Sequence, residues 1–290
     1  PCVPALIKHI ARKKSDYDFF IFFSYRYYHS YYGLQAAHGK AVLVPTAEED
    51  DAVKLSIFKK AFQLPSAIVY NSFEERNMIQ SIAGNHAVLN DVVGTGSSIP
   101  ETVSPQKFRK KYGIGEDFLL YVGRIDQNKG FPELFRYYLQ YLEETGDPVR
   151  LVLIGTSVVE IPFHSAVIHL GFLPEEDKYN AIAASNLLLM PSYYESLSMV
   201  VLEAWALGKP VLVNGRCRVL RGQALRSNGG LYYTCYEEFR EALKLLAENQ
   251  RLRGVLGENG KSYFQKNYAW PVIEEKYSNL LHQLQSKKTQ

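Results

Sequence analysis

The sequence predicts an α/β fold, two doubly wound parallel sheets, and three observations carry that prediction. Short apolar runs alternate with helical patterns along the chain, as in parallel sheets wrapped by helices. The length of 290 residues exceeds the usual range of a single core. Residues 94–106 (GTGSSIPETVSPQ) are rich in Gly, Ser and Pro and read as a linker. The chain then divides into a first domain over 1–105, a second over 106–268 and a terminal segment over 269–290.

In the first domain, residues 19–23 read as a strand. They lie in a run, 17–32, where ten of sixteen positions are Phe or Tyr. Such a run suits a sugar-stacking platform or a buried strand followed by a packed helix, and the second reading is favoured. His29, inside it, could face a cleft, although a lone His is more often structural. Ala41–Val44 is a strand stopped by Pro45, residues 51–62 read as a helix, and Ala67–Tyr70 is a strand. Ser72-Phe-Glu-Glu75 forms a capping box that opens a helix to about Ala83. Residues 87–89 suggest a further strand.

The second domain has apolar runs at 118–122, 150–154, 166–169, 187–190, 211–213 and 231–233. Helical patterns fall at 132–144, 175–184, 197–207, 236–248 and 251–266, and a final helix follows Trp270-Pro271 to about Gln283. In open parallel sheets ligands bind beyond the carboxyl ends of the strands. Arg124, Lys129, Phe172 and Glu195 all follow such ends, so they could share one cleft.

Two motifs suggest chemistry. In Phe118-Leu-Leu-Tyr-Val-Gly-Arg-Ile-Asp-Gln-Asn-Lys-Gly130, a strand runs into Gly123 and two cations, Arg124 and Lys129, precede a helix start. Cations beside helix N–H groups make a phosphate site; the plainer reading is a basic surface loop. In Pro191-Ser-Tyr-Tyr-Glu-Ser-Leu-Ser-Met-Val-Val-Leu-Glu203, Glu195 falls near a helix start and Glu203 two turns further in. A carboxylate within an apolar helix needs a partner, and a ligand hydroxyl would supply one. Otherwise Glu195 is an acid favoured by the helix dipole and Glu203 a solvated face residue. Arg216, Arg218 and Arg221 form a basic run read as loop, either solvated or in contact with a ligand. Asn228-Gly-Gly230 reads as a turn.

Composition narrows the classes. Hydrophobic content of 47% and charged content of 22% are those of a globular enzyme. A formal charge of +3 does not argue for nucleic acid, but it permits weak attraction to phosphorylated ligands or an anionic membrane surface. No run is long enough to span a membrane and no signal peptide is visible. Cys2, Cys217 and Cys235 have no metal-ligand spacing and read as free thiols of a reducing compartment, which points to the cytoplasm. No carboxylate pair of the D-x-D kind suggests a metal, and no G-x-G-x-x-G follows a predicted strand, which disfavours a dinucleotide oxidoreductase or epimerase. The first residue is Pro1, so the chain reads as a processed product or a fragment.

Taken in order, Gly123-Arg124, Lys129-Gly130, Leu170-Gly171-Phe172, Asn186-Leu-Leu-Leu-Met-Pro191, the Glu195–Glu203 pair and Ala206-Leu-Gly-Lys-Pro-Val211 resemble glycosyltransferase family 4, over about residues 70–285. The resemblance implies the GT-B fold, two Rossmann-like domains facing a cleft, with the last helix crossing back to the first domain. It implies a retaining, metal-independent transfer of a hexose from a nucleotide diphosphate sugar, the donor substrate, to a glycan or lipid-linked glycan, as in polysaccharide biosynthesis. No separate cofactor is implied. The position of Glu203 would bind the ribose, that of Glu195 would lie by the hexose, and those of Arg124 and Lys129 would contact the pyrophosphate. Backbone around Gly123, Leu197, Ser198 and Met199 would add N–H groups, and Phe172 with Leu173 would line the base pocket. The chain departs from the pattern twice. The first domain reads as shortened, without the Gly-rich turn expected after an opening strand, and Glu48 stands where the family often has His. Those departures favour the alternative, a non-catalytic sugar-nucleotide-binding or partner subunit.

Overall fold

The computed structural model describes residues 2–115 and 117–288. Its contacts divide the chain into two compact units. The first takes the residues up to Gly96, Glu195–Leu197 and the chain from Trp270 onward; the second takes Ser97–Tyr194 and Ser198–Ala269.

In the first unit α1 (Pro4–Lys13) precedes β1 (Phe20–Phe23), α2 (Tyr28–Ala36), β2 (Ala41–Val44), α3 (Ser56–Ala61), β3 (Ala67–Tyr70), α4 (Phe73–Ala83) and β4 (Leu89–Val92). The four strands pair in parallel in chain order. The inner strands β2 and β3 are buried at every position, which is why they are wholly apolar. The Ser72 hydroxyl accepts the Glu75 N–H at 3.1 Å and opens α4, which ends at Gly84 in the left-handed region. The aromatic run divides differently from the expected buried strand and helix. β1 is an edge strand, so Phe22 packs inward on α2 while Ile21, Phe23, Tyr17, Tyr27 and Tyr32 are exposed. His29 lies on α2, its ring stacked on Tyr27.

Other expectations shift. The helix predicted over 51–62 is a 3-10 turn, Ala52–Lys54, followed by the short α3. The break is at Leu55, whose backbone is extended, and Asp50 caps the turn by accepting the N–H groups of Ala52 and Val53. The strand expected at 87–89 lies at 89–92, because residues 85–88 form a turn closed by Val88 N–H to Asn85 C=O. The α1 helix has no counterpart in the sequence reading.

The second unit runs α5 (Pro105–Tyr112), β5 (Phe118–Val122), α6 (Phe131–Thr145), β6 (Arg150–Ile154), β7 (Val167–His169), α7 (Glu175–Ala184), β8 (Leu187–Met190), α8 (Met199–Ala206), β9 (Val211–Asn214), α9 (Arg218–Ser227), β10 (Gly230–Tyr233), α10 (Tyr236–Glu248) and α11 (Gln250–Asn267). Its described strands form one parallel sheet in the order β10-β9-β8-β5-β6-β7. The chain winds one way from β5 through β7 and the other way from β8 through β10, so the switch point lies between β5 and β8. Helix α5 occupies the end of the presumed linker, capped by Ser104 and closed by Gly113. Arg218 and Arg221 lie on α9 and not in a loop. The last helix, α12 (Trp270–Lys288), packs against β4 in the first unit and runs past the expected Gln283. Among the described residues no helix is long and apolar enough to cross a membrane.

Candidate functional site

The loop after β5 is built around a carboxylate absent from the sequence reading. Asp126 is buried, accepts the Lys129 N–H at 2.7 Å and pairs with the Arg124 guanidinium. Burial works to raise its pKa, but the Lys129 N–H and the Arg124 charge outweigh it and hold the carboxyl below its usual value. Arg124 stays largely exposed and Lys129 half-buried, so both cations can face a ligand. Glycines bring the backbone close at each end of this loop. A Cβ on Gly130, at φ 72°, would stand 2.1 Å from the Pro191 carbonyl oxygen, and one on Gly155, at φ 137°, 1.9 Å from that of Gly123. The loop therefore lies against the segment after β8, where the Tyr193 N–H donates to the Asn128 carbonyl at 3.1 Å.

From β8 the chain reaches α8, which begins at Met199 and not at Leu197 as expected. Leu197 counts with the first unit, and so does Glu195, which is half-buried; there Asn71 donates to the Ser196 hydroxyl at 3.4 Å. The first inward bond of α8 is Leu202 N–H to the Ser198 carbonyl. The N–H groups of Ser198 through Val201 thus have no carbonyl of their own helix to meet, and no acid stands in the first turn to offset the dipole. Two cations after β5 and an uncompensated helix N-terminus after β8 flank the switch point of the sheet.

Glu203, about one turn into α8, is buried at 8% exposure, which removes the solvated-face reading. One carboxylate oxygen accepts from Lys178 Nζ at 2.9 Å, the Tyr179 hydroxyl at 3.2 Å and the Ser97 hydroxyl at 3.5 Å. Lys178 was not foreseen. Burial would lower its pKa, but the Glu203 carboxylate raises it overall, so Lys178 keeps its charge. The protein therefore compensates this carboxylate through one oxygen before any ligand arrives. Phe172 is 82% exposed and Leu173 buried in the turn between β7 and α7, so a ring stands ready for stacking beside an apolar floor.

The arginine run has other duties. Arg216 pairs with Glu133 at the start of α6, bonds Asn214 at the end of β9 and lies over the Tyr193 ring, 5.1 Å from its centre. Arg221 lies over Tyr232 at 5.3 Å. Asn228 adopts the left-handed conformation that ends α9, as the turn reading requires. Among the described residues no His, Cys, Asp and Glu cluster could hold a metal ion.

Residues 104–263 match the model of the family described as Glycosyl transferases group 1. The chain is 28% identical over 211 residues to D-inositol 3-phosphate glycosyltransferase of Nocardia farcinica, covering 64% of this chain and 46% of that protein. It is 23% identical over 197 residues to the capsular polysaccharide biosynthesis glycosyltransferase CapM of Staphylococcus aureus, covering 62% and 52%. The chain thus spans about half the length of the curated relatives it matches. Among solved structures it is similar to a sucrose-phosphate synthase of Thermosynechococcus elongatus, with TM-score 0.80, 17% identity and coverage of 98% of this chain and 78% of that one. It is also similar to Anabaena HepE in complex with UDP, with TM-score 0.79, 16% identity and coverage of 96% and 82%. These likenesses give it the GT-B fold, two parallel-sheet α/β domains. The family match spans more than half the chain, and the chain belongs to the Glycosyl transferases group 1 family.

Proposed function

We propose that this chain binds a nucleotide diphosphate sugar on its second unit and transfers the hexose, with retention and without a metal, to a glycan or lipid-linked glycan. The observation that carries the reading is the switch point itself, where Arg124, Lys129 and the α8 N-terminus supply positive charge for a diphosphate. Glu203, fixed through one oxygen by Lys178 and Tyr179, offers its carboxylate to the ribose hydroxyls. Phe172 and Leu173 offer a surface to the base. HepE, a structural neighbour, has been crystallised with UDP and with UDP-glucose, which supports a nucleotide-sugar ligand.

In this reading the bond from the sugar C1 to phosphate oxygen breaks as the acceptor oxygen bonds C1 on the same face. The departing phosphate takes the acceptor proton. Negative charge gathers on the diphosphate, where fixed cations and helix N–H groups lower the barrier without a metal. Glu195 stands by the hexose. The reading places the protein at the cytoplasmic face of a membrane, and basic residues on α1 support approach to a surface bearing a lipid-linked acceptor. A second reading, a non-catalytic sugar-nucleotide-binding or partner subunit, has Glu48 in its favour.

Substitutions separate the roles. Glu203→Gln should weaken free nucleotide and sugar nucleotide alike, since both carry the ribose. Glu195→Gln should lower kcat and kcat/KM together while leaving nucleotide affinity nearly intact. Arg124→Ala or Lys129→Ala should slow transfer about 10²-fold or more. Calorimetric titration with UDP, GDP and ADP beside a sugar-transfer assay reads all of these. Unchanged affinity in the Glu203, Arg124 and Lys129 variants would remove the assignment.

A further inference from the structure

The protein meets the Glu203 carboxylate on one oxygen only. Oε1 accepts from Lys178 Nζ at 2.9 Å, the Tyr179 hydroxyl at 3.2 Å and the Ser97 hydroxyl at 3.5 Å. Oε2 accepts no hydrogen bond among the described residues and is not one of the buried atoms left without a partner, so it reaches solvent. Lys178, Tyr179, Ser97 and Glu203 all lie in the second unit.

The three donors are unequal. The Ser97 contact is at the outer limit of a hydrogen bond. The Tyr179 hydroxyl has one proton and two acceptors, the Ser98 carbonyl at 3.0 Å and Glu203 Oε1 at 3.2 Å, so it serves the carboxylate only in part. Lys178 is the cation paired with Glu203, and its ammonium lies over the Tyr179 ring, 4.2 Å from the centre. Both side chains of the pair are mostly buried, which fixes the oxygen that faces inward and the one that faces out.

A carboxylate with both oxygens free can accept two neighbouring hydroxyls side by side, one on each oxygen. With Oε1 taken, one hydroxyl of a diol gains a full charge-assisted bond and its neighbour does not. We propose, on the reading that Glu203 meets the ribose, that Lys178 makes this carboxylate a single-oxygen acceptor, so that the site recognises one ribose hydroxyl strongly and the other weakly. Lys178 acts through Glu203 and sets this selectivity without touching the nucleotide.

Calorimetric titration tests this with whichever of UDP, GDP and ADP binds the parent most tightly, beside its 2′-deoxy and 3′-deoxy forms. In the parent, one deoxy form should bind at least about tenfold more weakly than the other, because only one hydroxyl loses a charge-assisted bond. The gap should shrink to about threefold or less in Lys178→Met, whose freed Oε1 can take the second hydroxyl. It should persist in Lys178→Arg, which keeps a cation on that oxygen. A lysine that merely supports the fold would weaken all three ligands alike and leave their ratios as they are. Equal loss for the two deoxy forms in the parent overturns the proposal, and that arm needs no variant to fold. An undiminished gap in Lys178→Met overturns it as well. Both results leave the ribose reading of Glu203 standing. That reading fails, and the proposal with it, if neither deoxy form binds more weakly than the ribonucleotide.

Discussion

Glu75 shows how one buried carboxyl ties loops together. It is 1% exposed, and its two oxygens accept the backbone N–H groups of Ala47 and Asn71, each at 2.5 Å, joining the segments that follow β2 and β3. Burial pushes its pKa up to about 8, against the N–H groups of Asn71, Ala47 and Ser72, which pull it down. The folded value lies above the ordinary 4.5, so the folded chain keeps a proton that the unfolded chain releases. Stability from this group is therefore complete below pH 4.5 and lost as pH rises to about 8. Glu75→Gln abolishes the titration and sets an amide NH₂ against one of the two donors, at a cost of about 1–3 kcal/mol. Urea denaturation from about pH 5 to about pH 9 should show the parent losing stability relative to the variant; parallel pH profiles would sink this account. The role of Glu75 was half legible: Ser72-Phe-Glu-Glu75 announces a capping box, but nothing local to it reveals Ala47, 28 positions away. Glu203 is the same case, because an acid in an apolar helix demands a partner while Lys178 becomes visible only once α7 packs on α8. Asp126 was within reach, as an acid two residues after Arg124 in a tight loop.

Helices α8 and α11 show how packing sets the site's frame. Trp205 is wholly buried on α8 and donates its indole N–H to the Gly229 carbonyl at 2.9 Å. α11 approaches so closely that a Cβ on Gly260 would stand 2.2 Å from the Trp205 ring, and one on Gly257 2.0 Å from the Gly208 carbonyl oxygen. Helix propensity alone favours Ala over Gly by about 1 kcal/mol. Overpacking costs about 1–3 kcal/mol, and backbone cannot step aside as a side chain can. We expect Gly257→Ala and Gly260→Ala to lower stability by about 1–2 kcal/mol net, Gly257→Ala more, with nucleotide affinity falling because α8 carries Glu203 and the anion-facing N-terminus. Gly254→Ala on the same helix meets nothing within 4 Å and should instead stabilise slightly. Urea midpoints for the three variants decide this, and a raised midpoint for Gly257→Ala would refute the steric argument. Strands such as β5, β6 and β8 were plain in the sequence because burial on both faces makes them continuous apolar runs. α1 and α5 were missed because each is short and fully buries a single side chain, Ile10 and Phe108, although Ile7 and Ile10 mark one face of α1.

At the scale of the molecule, the groups assigned to the donor are unequally shared. Arg124, Lys129, Phe172, Leu173, Ser198, Met199 and Glu203 belong to the second unit, while Glu195, Leu197 and Glu48 belong to the first. Binding and chemistry should therefore separate. A nucleotide diphosphate should slow amide exchange over residues 118–135, 171–180 and 198–206, where the loop after β5, the turn before α7 and the start of α8 lie, and leave β2 and β3 unchanged. Transfer asks more than binding, because water must be excluded and the acceptor oriented. In the first unit Glu48 stands where the resemblance leads one to expect His, a carboxylate in place of a neutral or cationic donor. We expect this chain to bind a nucleotide diphosphate yet turn over well below about 10 s⁻¹, and Glu48→His to raise kcat without altering nucleotide affinity. The measurement is a sugar-transfer assay and a calorimetric titration on one preparation of each form. Turnover near about 10 s⁻¹ in the parent would show that Glu48 is no handicap. Exchange protection confined to the first unit would place the nucleotide elsewhere and remove the basis for assigning Arg124, Lys129 and Glu203 to the donor.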